Sequence, residues 1–104
     1  MRKIEIFTRD ADDGGRAIEL RGELSLDGSP EVLERLRVEI DSASKLRIHL
    51  AEVTYIDSSG IAVLVQGYRL ALRKGLEFIL VAPSSQVRSV IELSQLQSFF
   101  KFEE

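Results

Sequence analysis

The segment Leu76-Glu77-Phe78-Ile79-Leu80-Val81-Ala82 constrains the fold more than any other, being almost continuously apolar and β-favouring between Gly75 and Pro83. A strand with one face in water would alternate polar and apolar residues, so this run predicts an interior strand of a parallel sheet, stopped by Pro83. Parallel neighbours cannot be joined by a tight turn. They need crossover connections, usually helices, so strands and helices must alternate along the chain around this segment.

The flanking sequence supplies that alternation. Ser58 to about Lys74 reads as a helix, rich in Ile61, Ala62, Val63, Leu64, Val65, Leu70, Ala71 and Leu72. Arg73 and Lys74 put positive charge at the negative end of its dipole, and Gly75 can take the left-handed conformation that closes a helix. Its first half is apolar around most of its circumference, which predicts a central helix packed between the sheet and its neighbours. Before it, Lys45 to Leu50 alternates as a strand covered on one side. Earlier still, Ser29 as N-cap, Pro30 at the first position and Val32, Leu33, Leu36 and Ile40 on one face predict another helix. Ser42-Ala43-Ser44 ends it, and Glu31, Glu34, Arg35 and Glu39 form its solvated face.

At the amino end, Lys3 to Ile6 and Ala17 to Arg21 alternate as half-buried strands, and Asp12-Asp13-Gly14-Gly15 supplies the turn of an antiparallel hairpin. After Pro83, Ser84 caps a third helix carrying Val87, Val90 and Ile91, and Phe99-Phe100-Lys101-Phe102 is expected to form a last short strand. The resulting order, ββαβαβα(β), predicts one α/β domain spanning residues 1–104: a small mixed, mostly parallel sheet with helices on one face and one antiparallel edge.

Composition then removes several functional classes. A net charge of -3 with scattered basic residues gives no patch for nucleic acid, and the absence of cysteine rules out disulfides and thiolate metal sites. No apolar run approaches the ~20 residues a membrane span needs, and the first residues lack a secretory signal, so a cytoplasmic address without direct membrane insertion is expected. His49 alternates outward on its strand, which suits an exposed polar position better than a metal ligand or general base. No Gly-x-Ser-x-Gly elbow, Walker loop or dinucleotide fingerprint is present, so neither hydrolase chemistry nor nucleotide binding is expected, and no cofactor is implied.

What remains is Tyr55-Ile56-Asp57-Ser58-Ser59-Gly60-Ile61, where a carboxylate, two hydroxyls and a glycine meet at the start of a helix. Either Asp57 or Ser58 could cap the first turn, and a capped helix is the plain reading of such a cluster. A second reading adds a modification. Phosphate on Ser58 would bring about -1.5 to -2 charges to the positive end of the helix dipole, where the fold tolerates an anion. A partner shaped for the neutral hydroxyl would then meet the repulsion of a dianion beside Asp57 and let go. Ser84 and Ser85 are better explained as caps, and Phe99, Phe100 and Phe102 as terminal packing, although exposed rings there would suit a partner or a dimer.

With these residues in view, the chain resembles the STAS superfamily, named for sulfate transporters and anti-sigma-factor antagonists. The resemblance covers nearly the whole chain. It rests on Arg21-Gly22-Glu23-Leu24, on Tyr55 to Ile61 with its specific Asp-Ser-Ser-Gly core, and on Val87 to Leu96. It implies a non-enzymatic, protein-binding regulator whose site comprises Asp57, Ser58, Ser59, Gly60 and Ile61 with Gly22, Glu23 and Leu24. In antagonists the first serine is phosphorylated by a kinase that is also the anti-sigma factor, which the unphosphorylated antagonist captures, and a phosphatase resets the switch. By resemblance that serine is Ser58, with Ser59 as the alternative. Many antagonists continue past the last strand into a further helix, whereas this sequence stops at Glu104. Short STAS subunits of phospholipid-moving ABC transporters are similar in Gly60 to Val65, so an ABC ATPase is the alternative partner.

Overall fold

The computed structural model describes residues 3–11 and 13–104. Strands β1 (Ile4–Asp10) and β2 (Arg16–Leu24) are followed by α1 (Ser29–Ser42), β3 (Lys45–Ile56), α2 (Ser58–Lys74), β4 (Glu77–Val81), α3 (Ser85–Leu93) and β5 (Lys101–Glu103). The sheet runs β1-β2-β3-β4-β5, antiparallel between β1 and β2 and parallel at the other three pairings. This is the mostly parallel α/β sheet with one antiparallel edge that the strand and helix pattern predicts.

The hairpin closes through Gly14 at φ 83°, where the Ala11 N–H meets the Gly15 carbonyl at 2.9 Å. Asp13 Oδ1 accepts from the Gly15 N–H at 3.1 Å, so the turn carries its own side-chain brace. The expected contribution of Asp12 lies outside the described residues.

Even-numbered residues of the inner strands point to the helices. Ile18 and Leu20 of β2, Leu46, Ile48 and Leu50 of β3, and Phe78 and Leu80 of β4 share one core with α1 (Val32, Leu36, Ile40), α2 (Ile61, Val63, Leu64, Ala71) and α3 (Val87, Ile91). One core holding all three helices places them on a single face of the sheet. Tyr68 anchors its far end, with ring centroids 4.8 Å from Phe99 and 6.1 Å from Phe100, so these terminal aromatics serve packing.

Among the described residues the other face has no helix, yet Ala17, Ile79 and Val81 on it are buried. The register sets Ala17, Arg47, Ile79 and Lys101 in one cross-strand row and Glu19, His49, Val81 and Glu103 in the next. Arg47 bonds Glu103 at 3.0 Å and Asp13 at 2.8 Å, and Lys101 bonds Glu77 at 3.1 Å. Arg47, its side chain only 22% exposed, stands between Ala17 and Ile79 in its row, so paired charged side chains rather than a helix flank the buried apolar residues of this face.

The structure shifts several expected details. Strand β1 runs beyond Ile6 to Asp10, and β3 runs beyond Leu50 to Ile56, passing two register irregularities against β2. The last strand is Lys101–Glu103, so Phe99 and Phe100 precede it. Gly28, not Ser29, occupies the N-cap of α1 and offers no side-chain cap. Gly28 already has helical backbone angles (φ -93°, ψ -15°) and its carbonyl accepts the Val32 N–H at 3.1 Å, so the helix begins one residue early. Ser29 is thus the first helical residue and donates its hydroxyl to the Ser25 carbonyl at 2.7 Å. Glu39, expected in solvent, is buried and accepts from Arg16 Nε at 2.6 Å. His49 is half-buried among the charges of the open face rather than exposed.

Candidate functional site

Helix α2 begins where β3 leaves the sheet, and the turn is built around Asp57. Its backbone is extended (φ -120°, ψ -171°), and its Oδ1 accepts from the N–H groups of Ser59 at 3.0 Å and Gly60 at 3.1 Å. One carboxylate oxygen therefore satisfies two of the donors that a helix start leaves open. The sequence leaves the cap open between Asp57 and Ser58; the structure gives it to Asp57.

That assignment releases Ser58. It occupies the first helical position with its side chain exposed, and its hydroxyl has no hydrogen-bond partner among the described residues. Ser59, one residue on, is half-buried. The two residues thus differ in exposure, Ser58 standing further into solvent than Ser59.

The helix start is held in place from β2. A Cβ added at Gly60 would stand 2.4 Å from the Leu24 carbonyl oxygen and 2.7 Å from Ile56 Cγ1, so only glycine lets α2 approach the end of β2 this closely. Gly22 sits at φ 107° with its α-carbon against the Lys3 carbonyl, which accepts from the Glu23 N–H at 2.8 Å. The Thr54 hydroxyl donates to the Gly22 carbonyl at 3.3 Å. Gly22-Glu23-Leu24 and Asp57-Ser58-Ser59-Gly60-Ile61 are thereby brought together from segments distant in sequence.

Their roles separate by burial. Leu24, Gly60 and Ile61 are buried and support the surface from beneath, while Gly22, Glu23, Asp57 and Ser59 are half-buried and Ser58 stands out. Beside them lies a shallow groove of about 440 Å³ between Tyr55 and Ile56 of β3 and Ser85, Gln86, Ser89 and Val90 of α3. Tyr55 is 50% exposed at its rim. Sequence reasoning did not assign the α3 wall, and no local signal could have, because only the packing of α3, which follows β4, back against β3 brings it there. Ser84, as expected, caps α3, accepting from the Val87 N–H at 3.3 Å, and it also ties α3 to β3 by donating to the Val53 carbonyl at 2.7 Å.

No group of three or more His, Cys, Asp or Glu side chains among the described residues could hold a metal ion. No helix among them is long and apolar enough to cross a membrane. Chemically, the site offers an exposed Ser58 hydroxyl at a helix end already capped by Asp57.

Comparison with known proteins places this geometry in a family context. The family model described as STAS domain matches residues 7–104. Anti-sigma-B factor antagonists of Listeria monocytogenes and Listeria innocua are each 31% identical over 99 residues, covering 94% of this chain and 85% of theirs. Among solved structures, an anti-sigma factor antagonist from Mycobacterium paratuberculosis superposes with a TM-score of 0.85 at 25% identity, over 96% of this chain and 85% of that one. The fold is also that of the Bacillus cell fate determinant SpoIIAA in its phosphorylated form, with a TM-score of 0.74 at 19% identity over 96% and 92% of the two chains.

Proposed function

This chain belongs to the STAS domain family, and from that premise we propose that it is an anti-sigma-factor antagonist, binding a kinase that doubles as anti-sigma factor and switched by phosphorylation at Ser58. The observation that carries the reading is the division of labour at the start of α2, with Asp57 holding the helix and Ser58 left exposed. A serine that capped its own helix would lose that role on modification. Ser58 can take a phosphate without surrendering any bond that the fold uses.

The charge change falls where it can act on a partner and not on the fold. The dianion stands at the positive end of the α2 dipole, which offsets part of its cost to the domain. A partner seated over Ser58 would have to desolvate it next to the Asp57 carboxylate, and binding fails. Ser58 is here a phosphate acceptor and not a catalytic nucleophile. His49, the one histidine, belongs to the open face of the sheet, opposite the helices, and is not placed to activate it.

The test is reconstitution with the cognate kinase followed by peptide mass mapping. Phosphate is expected on Ser58 and absent from Ser58→Ala, and Ser58→Asp should weaken kinase binding by about tenfold or more, equivalent to ~1.4 kcal/mol. Phosphate found only elsewhere would remove the mechanism. Co-purification with an ABC ATPase and no kinase would replace it with the transporter reading.

A further inference from the structure

Strand β1 closes one side of the sheet, and among the described residues no strand pairs with its outer edge. Which backbone groups face outward follows from its bonds to β2. The Lys3 carbonyl accepts from Glu23, and the Ala11 N–H donates to Gly15, so the odd-numbered residues of this regular antiparallel pair turn their backbone groups inward. Ile4, Ile6, Thr8 and Asp10 therefore present theirs to solvent. The odd side chains Glu5, Phe7 and Arg9 project from the helix-free face, and all three are exposed, Phe7 at 42%.

We infer that this edge is a homodimer interface, in which β1 pairs antiparallel with β1 of a second copy about a twofold axis at Phe7. The register is fixed by chemistry as well as by backbone direction. A twofold antiparallel pairing must centre on a residue, and centring on Phe7 sets Ile6 opposite Thr8 of the other copy in a hydrogen-bonded pair, using the outward groups of both. The same register sets Phe7 against Phe7 and Glu5 against Arg9, twice by symmetry, as non-hydrogen-bonded pairs, where side chains come closest. Centring on Ile6 or Thr8 would leave Glu5 or Arg9 opposite Phe7 with no ion pair.

Charges on an edge strand ordinarily keep edges apart. Here the two signs stand symmetrically about one aromatic residue, so the strand repels most other edges and matches its own. The product is a ten-stranded sheet continuous across two copies. The inference does not depend on phosphorylation at Ser58.

Sedimentation velocity over a concentration series, with circular dichroism to confirm folding, tests it. The wild-type chain should show a concentration-dependent dimer. Arg9→Glu or Glu5→Arg, which set like charges opposite each other, should each raise the dimer dissociation constant about tenfold. The double variant carrying both changes restores opposite charges in mirror order and should recover the dimer. The chain has no cysteine, so Phe7→Cys provides a second readout. On air oxidation it should form a covalent dimer faster than Leu72→Cys, an exposed control on α2, because directly opposed non-hydrogen-bonded positions meet disulfide geometry. A chain monomeric up to about 1 mM, a dimer indifferent to the single changes, or a double variant no better than the singles would overturn the inference.

Discussion

Replacing Gly60 with alanine sets two opposed effects against each other, and the structure decides between them. Alanine favours a helix over glycine by about 1 kcal/mol, so propensity alone expects a gain. The new methyl carbon, however, would stand 2.4 Å from the Leu24 carbonyl oxygen, 2.7 Å from Ile56 Cγ1 and 2.9 Å from Leu24 Cγ. Two of these obstacles are side chains, but the nearest is backbone, anchored by the pairing of β2 with β3. The helix must therefore move, and overpacking of this kind costs roughly 1–3 kcal/mol, more when backbone gives way. Because backbone must move, the upper part of that cost applies, ~2–3 kcal/mol, and after the propensity gain a net loss of about 1–2 kcal/mol is expected, read as a lower urea midpoint at unchanged slope. Amide resonances of Asp57, Ser59 and residue 60 should shift, because displacement of α2 opens the two bonds to the Asp57 carboxylate. Gly67→Ala is the comparison. Its new methyl would meet Leu36 Cδ1 at 2.9 Å and Phe78 Cε2 at 3.0 Å, side-chain ends that can yield, so it should cost less. Gly60→Ala that leaves stability within 0.5 kcal/mol of wild type, or raises it, would refute the argument that close approach to β2 fixes the start of α2.

Three further outcomes follow from the described contacts. Asp57→Ala should cost about 1 kcal/mol in urea unfolding, whereas Asp57→Asn, which keeps the acceptor oxygen, should cost clearly less. Glu39→Ala removes the buried partner of Arg16, which keeps Asp10 at 2.6 Å, so a loss of about 1–2 kcal/mol is expected, and no change in melting would contradict the pairing. Burial and the Arg9 guanidinium hold the His49 pKa below its ordinary 6.5. The unfolded chain therefore binds the proton first as pH falls. Wild type should lose stability relative to His49→Gln as pH falls through about 6.5, and the two should run parallel above pH 7.5.

Much of this arrangement was legible before the fold. Leu76 to Ala82 demanded an interior strand, Arg73-Lys74-Gly75 marked a helix end, and Gly75 indeed closes α2 at φ 75° with its N–H 3.1 Å from the Leu72 carbonyl. These are signals of period and local chemistry, carried within a few residues. The extension of β3 to Ile56 was not legible because the alternation breaks after Leu50, where Ala51 and Glu52 are both exposed and the pairing with β2 slips. The N-cap of α1 falls on Gly28 and not on Ser29 because the turn from Ser25, whose carbonyl accepts from the Gly28 and Ser29 N–H groups, has already brought the backbone into helical angles there.

Sequence alone determined which segments are strands and helices, their order, and that a hydroxyl stands at the start of the central helix, since each depends on neighbours within a turn or a pleat. Tertiary structure alone decided that Asp57 takes the cap and leaves Ser58 exposed, that Leu24, Gly60 and Ile61 lie beneath the surface, and that Glu39 is buried against Arg16. The physical reason is that burial and hydrogen-bond choice are settled by contacts between segments tens of residues apart. The carbonyl of Leu24 against Gly60 fixes where α2 begins, and with it which side chain is left facing outward.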